Sequence, residues 1–196
     1  KAGLTARFDL PEDATVIGIA AQLIPRKGHD VLLEAMSDLV ERWPNLHLLV
    51  MGKGPSKSAI REQIRTLDLD RHVQLVGFVE DLERVLPSLD FLVHPARTEG
   101  LGVVLLQAAS AGIAVIACDA GGMPEAVMDQ ETGLLVPAGD VDALTAAIER
   151  LLSEPERAED FGAKGRERML ASFSTSAMAQ GNVNVYRAVM AARSEA

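Results

Sequence analysis

Short apolar blocks alternate with amphipathic stretches along the whole chain. Val16 to Ala20 (VIGIA) is continuous and apolar, the pattern of a strand buried on both faces. From Lys27-Gly28 to about Trp43 the period changes. Leu32, Ala35, Met36, Leu39, Val40 and Trp43 fall at helical spacing, with Glu34, Asp38, Glu41 and Arg42 opposite, until Pro44-Asn45 stops the run. Leu46 to Met51 (LHLLVM) is a second strand, ended by Gly52-Lys53-Gly54-Pro55, and a helix follows from about Ser56 to Leu67. Val73 to Val76 and Phe91 to His94 are the third and fourth strands, with a short helix from Asp81 to about Leu86 between them. A helix from Leu101 to Ala111, a strand from Val115 to Ala117, the loop Asp119 to Pro124 and a strand from Leu134 to Val136 continue the series. Asp140 is placed to cap a helix reaching about Leu152. Pro155 suits the first turn of another, and Ser174 can cap a last helix from about Ser176 to Ala192.

Six buried strands alternating with helices predict a doubly wound, Rossmann-like α/β fold, a parallel six-stranded sheet with helices on both faces. Residues 15–172 form that domain, residues 1–14 read as a lead-in without periodicity, and residues 173–196 form a C-terminal helical segment. Leu101 to Cys118 runs 18 residues without a charge, the minimum for a membrane helix, but Gly102, Gln107, Ser110 and Gly112 interrupt it. A buried helix, a glycine turn and a buried strand account for it, so no transmembrane segment is expected.

At 196 residues with 19 basic and 28 acidic side chains, the chain has a formal charge of −9. That argues against nucleic acid as a partner, because counterion release needs clustered cations. It leaves room for a small anion held by one or two placed cations and some backbone N–H groups. The one cysteine, Cys118, rules out an internal disulfide and points to a reducing compartment. His29, His47, His72 and His94 show no metal-ligand spacing, so no metal is expected.

In such a sheet, ligands lie beyond the carboxyl ends of the strands. After the first strand, Arg26 and Lys27 stand just before a helix N-terminus and suit a phosphate, or are solvated surface charges. Gly52-Lys53-Gly54 is half of a dinucleotide fingerprint, or a tight turn. Pro95 to Val103 is the most informative loop. Gly100 and Gly102 flank Leu101 and let backbone approach a ligand, and the next helix opens without a charged side chain. Glu99 at its mouth either accepts hydrogen bonds from hydroxyls or only stabilises the helix dipole. Gln107, eight residues on, is a core amide or faces the ligand. Gly121-Gly122 is a backbone nest or a plain loop, and Glu125 caps a local helix or holds that loop. No nucleophile–base pair and no Walker lysine motif is present. By spacing alone the chain is an α/β domain binding an anionic small molecule.

The loops taken in order resemble the C-terminal, donor-binding half of GT-B glycosyltransferases, specifically glycosyltransferase family 4. The likeness covers residues 15 to about 190 and rests on Pro25-Arg26-Lys27-Gly28, Gly52-Lys53-Gly54-Pro55, Val76-Gly77-Phe78-Val79, Glu99-Gly100-Leu101-Gly102 with Gln107-Ala108, Gly121-Gly122-Met123-Pro124-Glu125 and Thr132-Gly133-Leu134-Leu135-Val136. It implies transfer of a sugar from a UDP- or GDP-linked donor, with retention, without a metal and without a resident cofactor. Lys27 corresponds to the lysine that neutralises the donor diphosphate, and Glu99 to the first carboxylate of a Glu-x₇-Glu motif placed against the sugar. Gly100 and Leu101 belong to the donor loop. Gly102, Val103 and Val104 would offer backbone N–H groups, and Val79 lines the base pocket.

Two positions depart from the pattern. Gln22 stands where the family has arginine, with Arg26 as a substitute cation, and Gln107 stands where it has the second glutamate. An amide holds a diol without charge-assisted strength, so weaker donor binding or a shifted donor preference follows. A non-catalytic nucleotide-binding module and another GT-B enzyme, such as a sugar-nucleotide epimerase, are the competing readings. The chain begins at Lys1, in what resembles an interdomain linker. The resemblance therefore implies a missing N-terminal domain that carries the acceptor site. The last helix would cross back to that domain, or is a plain surface helix. The expected setting is the cytoplasm, with peripheral contact at the inner face of the membrane through the missing domain. The isolated chain is expected to bind a nucleotide-sugar but transfer little.

Overall fold

The six apolar blocks form six strands, and their order in the sheet creates the site. In the computed structural model, which describes residues 2–194, the strands are β1 (Thr15–Ala20), β2 (Leu46–Met51), β3 (Val73–Gly77), β4 (Phe91–His94), β5 (Ala114–Cys118) and β6 (Gly133–Val136). They lie in the order β3-β2-β1-β4-β5-β6, all parallel. The chain winds outward from β1 to β3, then returns to the other side of β1 with β4. Ile17 pairs with Leu48 on one side and with Phe91 on the other. The switch point of this doubly wound sheet therefore lies between β1 and β4, at their carboxyl ends. Every residue of β2, β4 and β5 is buried, which explains why these strands read as near-continuous apolar blocks.

The helices are α1 (Ala2–Arg7), α2 (His29–Leu39), α3 (Lys57–Thr66), α4 (Leu82–Val85), α5 (Val103–Ala111), α6 (Met123–Ala126), α7 (Val141–Ser153), α8 (Pro155–Ser172) and α9 (Thr175–Ser194). α2 packs with α3 and α7 over one face of the sheet, and α5 packs with α8 over the other. The helix following β6 opens as its sequence predicts, with the Asp140 side chain accepting from the Ala143 N–H at 2.9 Å. The uncharged stretch from Leu101 to Cys118 divides into α5, a turn at Gly112 and β5. No helix among the described residues is long and apolar enough to cross a membrane.

Beyond one-residue shifts at the ends of β1, β3, β5 and β6, four features differ from the sequence reading. α2 ends at Leu39 rather than Trp43. Pro44 disfavours helical backbone at Trp43, so the chain turns there, with the Leu46 N–H donating to the Trp43 carbonyl at 2.9 Å. α5 begins at Val103 rather than Leu101, because Gly102 takes a left-handed conformation (φ 77°) that helix cannot continue through. The aperiodic lead-in contains α1, too short to show a period. Its Leu4 is buried in the core, and Arg7 makes a bidentate pair with Asp81 at 2.8 Å. The loop after β5 closes with the one-turn α6, which has Pro124 in its first turn.

The last helix starts where expected, with the Ser174 hydroxyl accepting from the Ala177 N–H at 3.2 Å. From residue 175 to 193 every residue is exposed except the half-buried Ala177, Tyr186 and Met190 included. Lys1 and residues 195–196, the outer ends of the predicted lead-in and C-terminal segment, lie outside the described residues.

Candidate functional site

The first and fourth strand ends are clamped together by backbone that only glycine permits. Pro25–Lys27 forms a single 3-10 turn, and Gly28 leads from it into α2 at φ 71°. A Cβ on Gly28 would sit 2.0 Å from the Pro95 carbonyl oxygen, just beyond β4. Arg97 completes the clamp. Its backbone N–H donates to the Arg26 carbonyl at 2.8 Å, and its guanidinium donates to the Pro25 carbonyl and to both oxygens of Asp30 at 2.7–2.9 Å. This pairing holds the Asp30 carboxyl below the usual carboxylate range. Gly28→Ala is therefore expected to cost about 3 kcal/mol or more, a fall in Tm of roughly 6–12 °C, from the left-handed backbone and the clash together. A thermal melt within 2 °C of the parent, checked by calorimetry with about that precision, would show the clamp to be slack.

The clamp brings Lys27 onto Glu99 across 72 residues of sequence. Lys27 is buried, and its Nζ pairs directly with Glu99 Oε2. Arg26, half in solvent, donates to the Thr98 carbonyl at 3.2 Å and stands 3.8 Å from the same carboxylate oxygen. His94, the last residue of β4 and fully buried, brings its Nε2 to 3.5 Å from that oxygen. That is the outer edge of hydrogen-bond range, an approach rather than a made bond. Burial raises the Glu99 pKa, but Lys27 and then His94 outweigh it and hold the carboxyl below its ordinary value. Burial, with Lys27 adding to it, pushes His94 down to about 4, so its imidazole is neutral at pH 7.

Gly121 and Gly122 support the Glu99 loop from behind. Cβ atoms there would lie 2.1 Å from the carbonyl oxygens of Glu99 and Gly100 respectively, and the Gly122 N–H donates to the Glu99 carbonyl at 3.1 Å. These two glycines therefore hold the loop rather than face a ligand.

At the start of α5, Gly102 caps with its carbonyl, which accepts from the Leu105 N–H at 2.8 Å. The N–H groups of Val103 and Val104 have no partner among the described residues, and Val103 is 69 % exposed. Gly100 is exposed and Leu101 half-buried beside them. Free N–H groups at the positive end of a helix, reached from Lys27 through Glu99, which lies against Gly102, are suited to an anion.

The remaining predicted residues meet in a neighbouring cavity of about 350 Å³. Gln22, Val79, Val104 and Gln107 line it together, with Met51 and Leu82 as apolar wall. Val104 and Gln107 share a face of α5, one turn apart. Lys53 and Phe78 stand at this cavity as a cation–π pair, the Nζ 5.3 Å from the ring centroid. Lys27 and Glu99 are not in its wall, so the site has two parts joined by the loop after β1 and the start of α5. A larger cavity, about 720 Å³, opens beside α8, away from these residues, and its Arg157 and Lys164 are spent on Glu154 and Asp160. Among the described residues no group of three or more His, Cys, Asp or Glu is placed to hold a metal. Cys118 is buried, which pushes its thiol up to about 11.

Sequence reasoning missed His94 and Arg97. Both lie in or beside the loop it singled out, but nothing in their spacing indicates that one sits behind Glu99 and the other ties two loops together.

A sheet switch point with a buried lysine–carboxylate pair and an uncovered helix start defines an α/β domain formed to take an anionic ligand. The chain belongs to the glycosyl transferases group 1, whose family model matches residues 4–168. It is 34 % identical over 194 residues to the GDP-mannose-dependent monoacylated alpha-(1-6)-phosphatidylinositol monomannoside mannosyltransferase of Corynebacterium glutamicum, covering 94 % of this chain and 50 % of that protein. Among solved structures it resembles sucrose-phosphate synthase from Thermosynechococcus elongatus, at 32 % identity and a TM-score of 0.83, covering 98 % of this chain and 49 % of that one. Anabaena HepE, solved in complex with UDP, shares the fold at a TM-score of 0.88 and 21 % identity, over 95 % of this chain and 52 % of that one. The chain spans about half the length of the curated relatives it matches.

Proposed function

We propose that the chain is the C-terminal, donor-binding half of a retaining, metal-independent glycosyltransferase of family 4. The observation that carries this reading is the junction of Lys27, Glu99 and the free N–H groups of α5 at the switch point. A donor diphosphate laid there meets one buried cation and two amide donors. These stabilise the charge that develops on the leaving nucleotide as the glycosidic bond breaks, work that a metal ion performs elsewhere. Glu99, held ionised below its ordinary pKa, is a weak base. It suits accepting hydrogen bonds from sugar hydroxyls rather than deprotonating an acceptor, which favours retention. The 350 Å³ cavity takes the nucleoside, with Gln107 near the ribose and Val79 beside the base.

The acceptor site belongs to an N-terminal half, which the half-length match to the relatives supports. The setting is the cytoplasm, at the inner face of the membrane if the acceptor is a lipid, as the name of the Corynebacterium relative suggests. The test is calorimetry of the 196-residue chain with UDP, GDP, UDP-glucose and GDP-mannose. Saturable binding of one nucleotide and its sugar is expected, with little transfer. No heat at about millimolar ligand, the weak end of the affinity scale, would end the proposal.

One observation favours a second reading. Gln22 and Gln107, the two positions that depart from the family pattern, line the same cavity, so both losses of charge fall on one ligand. A regulatory, non-catalytic nucleotide-binding module would have this property. Sugar transfer by the chain joined to its N-terminal half eliminates that reading.

A further inference from the structure

Three nitrogens converge on one oxygen of Glu99, and they differ in what a ligand would do to them. Lys27 Nζ pairs with Oε2, Arg26 Nη1 lies 3.8 Å from it and His94 Nε2 lies 3.5 Å from it. The lysine and the arginine are cations at the mouth, and an anionic donor draws both toward itself. The histidine stays. It closes β4, where it is paired in register with Ala117 of β5, and it is 1 % exposed. Neither of its ring nitrogens has a hydrogen-bond partner among the described residues, an uncommon condition for a buried imidazole. A neutral imidazole carries one N–H, and Glu99 is the acceptor that its Nε2 faces.

The geometry points to His94 as the residue that positions the Glu99 carboxylate once a donor has engaged Lys27. The inference rests on the donor-binding reading above and adds to it a group outside the cavity. In the ligand-free chain Glu99 is tied to Lys27. When the diphosphate takes Lys27, the carboxylate closes the short remaining gap to Nε2–H, and its other oxygen is left to accept from the sugar. His94 touches neither donor nor acceptor, so it is a positioning residue.

Two measurements on the 196-residue chain test this. Nitrogen-15 NMR of the histidine rings at pH 7 is expected to show His94 as the neutral Nε2–H tautomer, and an Nδ1–H tautomer overturns the inference without any ligand. Calorimetry then compares UDP with UDP-glucose and GDP with GDP-mannose, in the parent and in His94→Leu and His94→Gln. The preference for the sugar-bearing ligand, read as the ratio of the two Kd values, is expected to fall roughly three- to tenfold in His94→Leu, the size of one ordinary net hydrogen bond. His94→Gln, which keeps a donor near the Nε2 position, should restore most of it. Equal ratios in all three proteins, or a glutamine variant no better than leucine, overturn the positioning role. A parent chain that binds no nucleotide overturns the donor-binding reading itself, and this inference with it.

Discussion

Lys27→Met is expected to weaken UDP and GDP binding by on the order of tenfold to a hundredfold, and to slow sugar transfer by the assembled enzyme roughly 10²–10³-fold. The chain carries a net charge of −9, so its overall field does not draw in a dianionic diphosphate and placed cations must hold it. At the switch point Lys27 is the buried one. Arg26 is half in solvent and already donates to the Thr98 carbonyl, and Gln22 contributes an uncharged amide. A charge held out of water interacts more strongly with a ligand than one screened by it. The variant should still fold, because Glu99 is left with Arg26 and His94 within 4 Å rather than stranded. The effect on transfer should exceed the effect on binding, since charge on the leaving diphosphate grows as the glycosidic bond breaks. Calorimetry of the chain and initial rates of the assembled enzyme measure the two separately. A variant that binds as tightly as its parent would mean that the backbone amides of α5 alone hold the anion.

Acidification from pH 7 to pH 4 is expected to remove up to about 6 kcal/mol of folding stability through His29 and His94. Both are at least 95 % buried, and burial pushes each down to about 4 from the ordinary 6.5 of histidine. Asp30 partly opposes the shift at His29, and a charge on His94 would deepen it. Between about pH 6.5 and 4 the unfolded chain binds protons that the folded one excludes. Stability is therefore fully present above the unfolded value and is lost as pH falls toward the folded one. Each shift corresponds to about 3 kcal/mol at most, and a domain of this size has roughly 5–15 kcal/mol in total. The carboxyls of Asp30 and Glu99, held below their ordinary values by Arg97 and Lys27, add to the loss as pH falls further and they protonate. Urea unfolding at pH 7, 5.5 and 4 should show a falling midpoint at constant m. A midpoint unchanged between pH 6.5 and 4.5 would mean that the two imidazoles charge without opening the core.

The acid sensitivity and the site share one cause. His94 is buried because it ends a strand at the middle of the sheet, and the same place brings it behind Glu99. A domain with a ligand in place should resist acid better, because binding to the folded state adds to its stability.

The local periods of the sequence determined most of the secondary structure. Leu46–Met51 and Phe91–His94 were readable to the residue, since a strand buried on both faces is nearly continuous in apolar residues, with only His47 and His94 departing, and Gly52 or Pro95 ends it. The loop order also marked Lys27, Glu99 and the start of α5 as candidate chemistry. What neighbours in sequence could not specify was which of those loops would touch. The order β3-β2-β1-β4-β5-β6 sets β1 beside β4, and Gly28 against Pro95 then closes the 72-residue gap between Lys27 and Glu99. The sequence left open whether Gln107 faces the ligand and whether Gly121-Gly122 is a nest. Tertiary packing put the amide in the cavity with Gln22 and the two glycines behind the Glu99 loop. His94 and Arg97 acquired their roles in the same way, because a side chain's partner across a sheet depends on strand order and register, which no local period encodes.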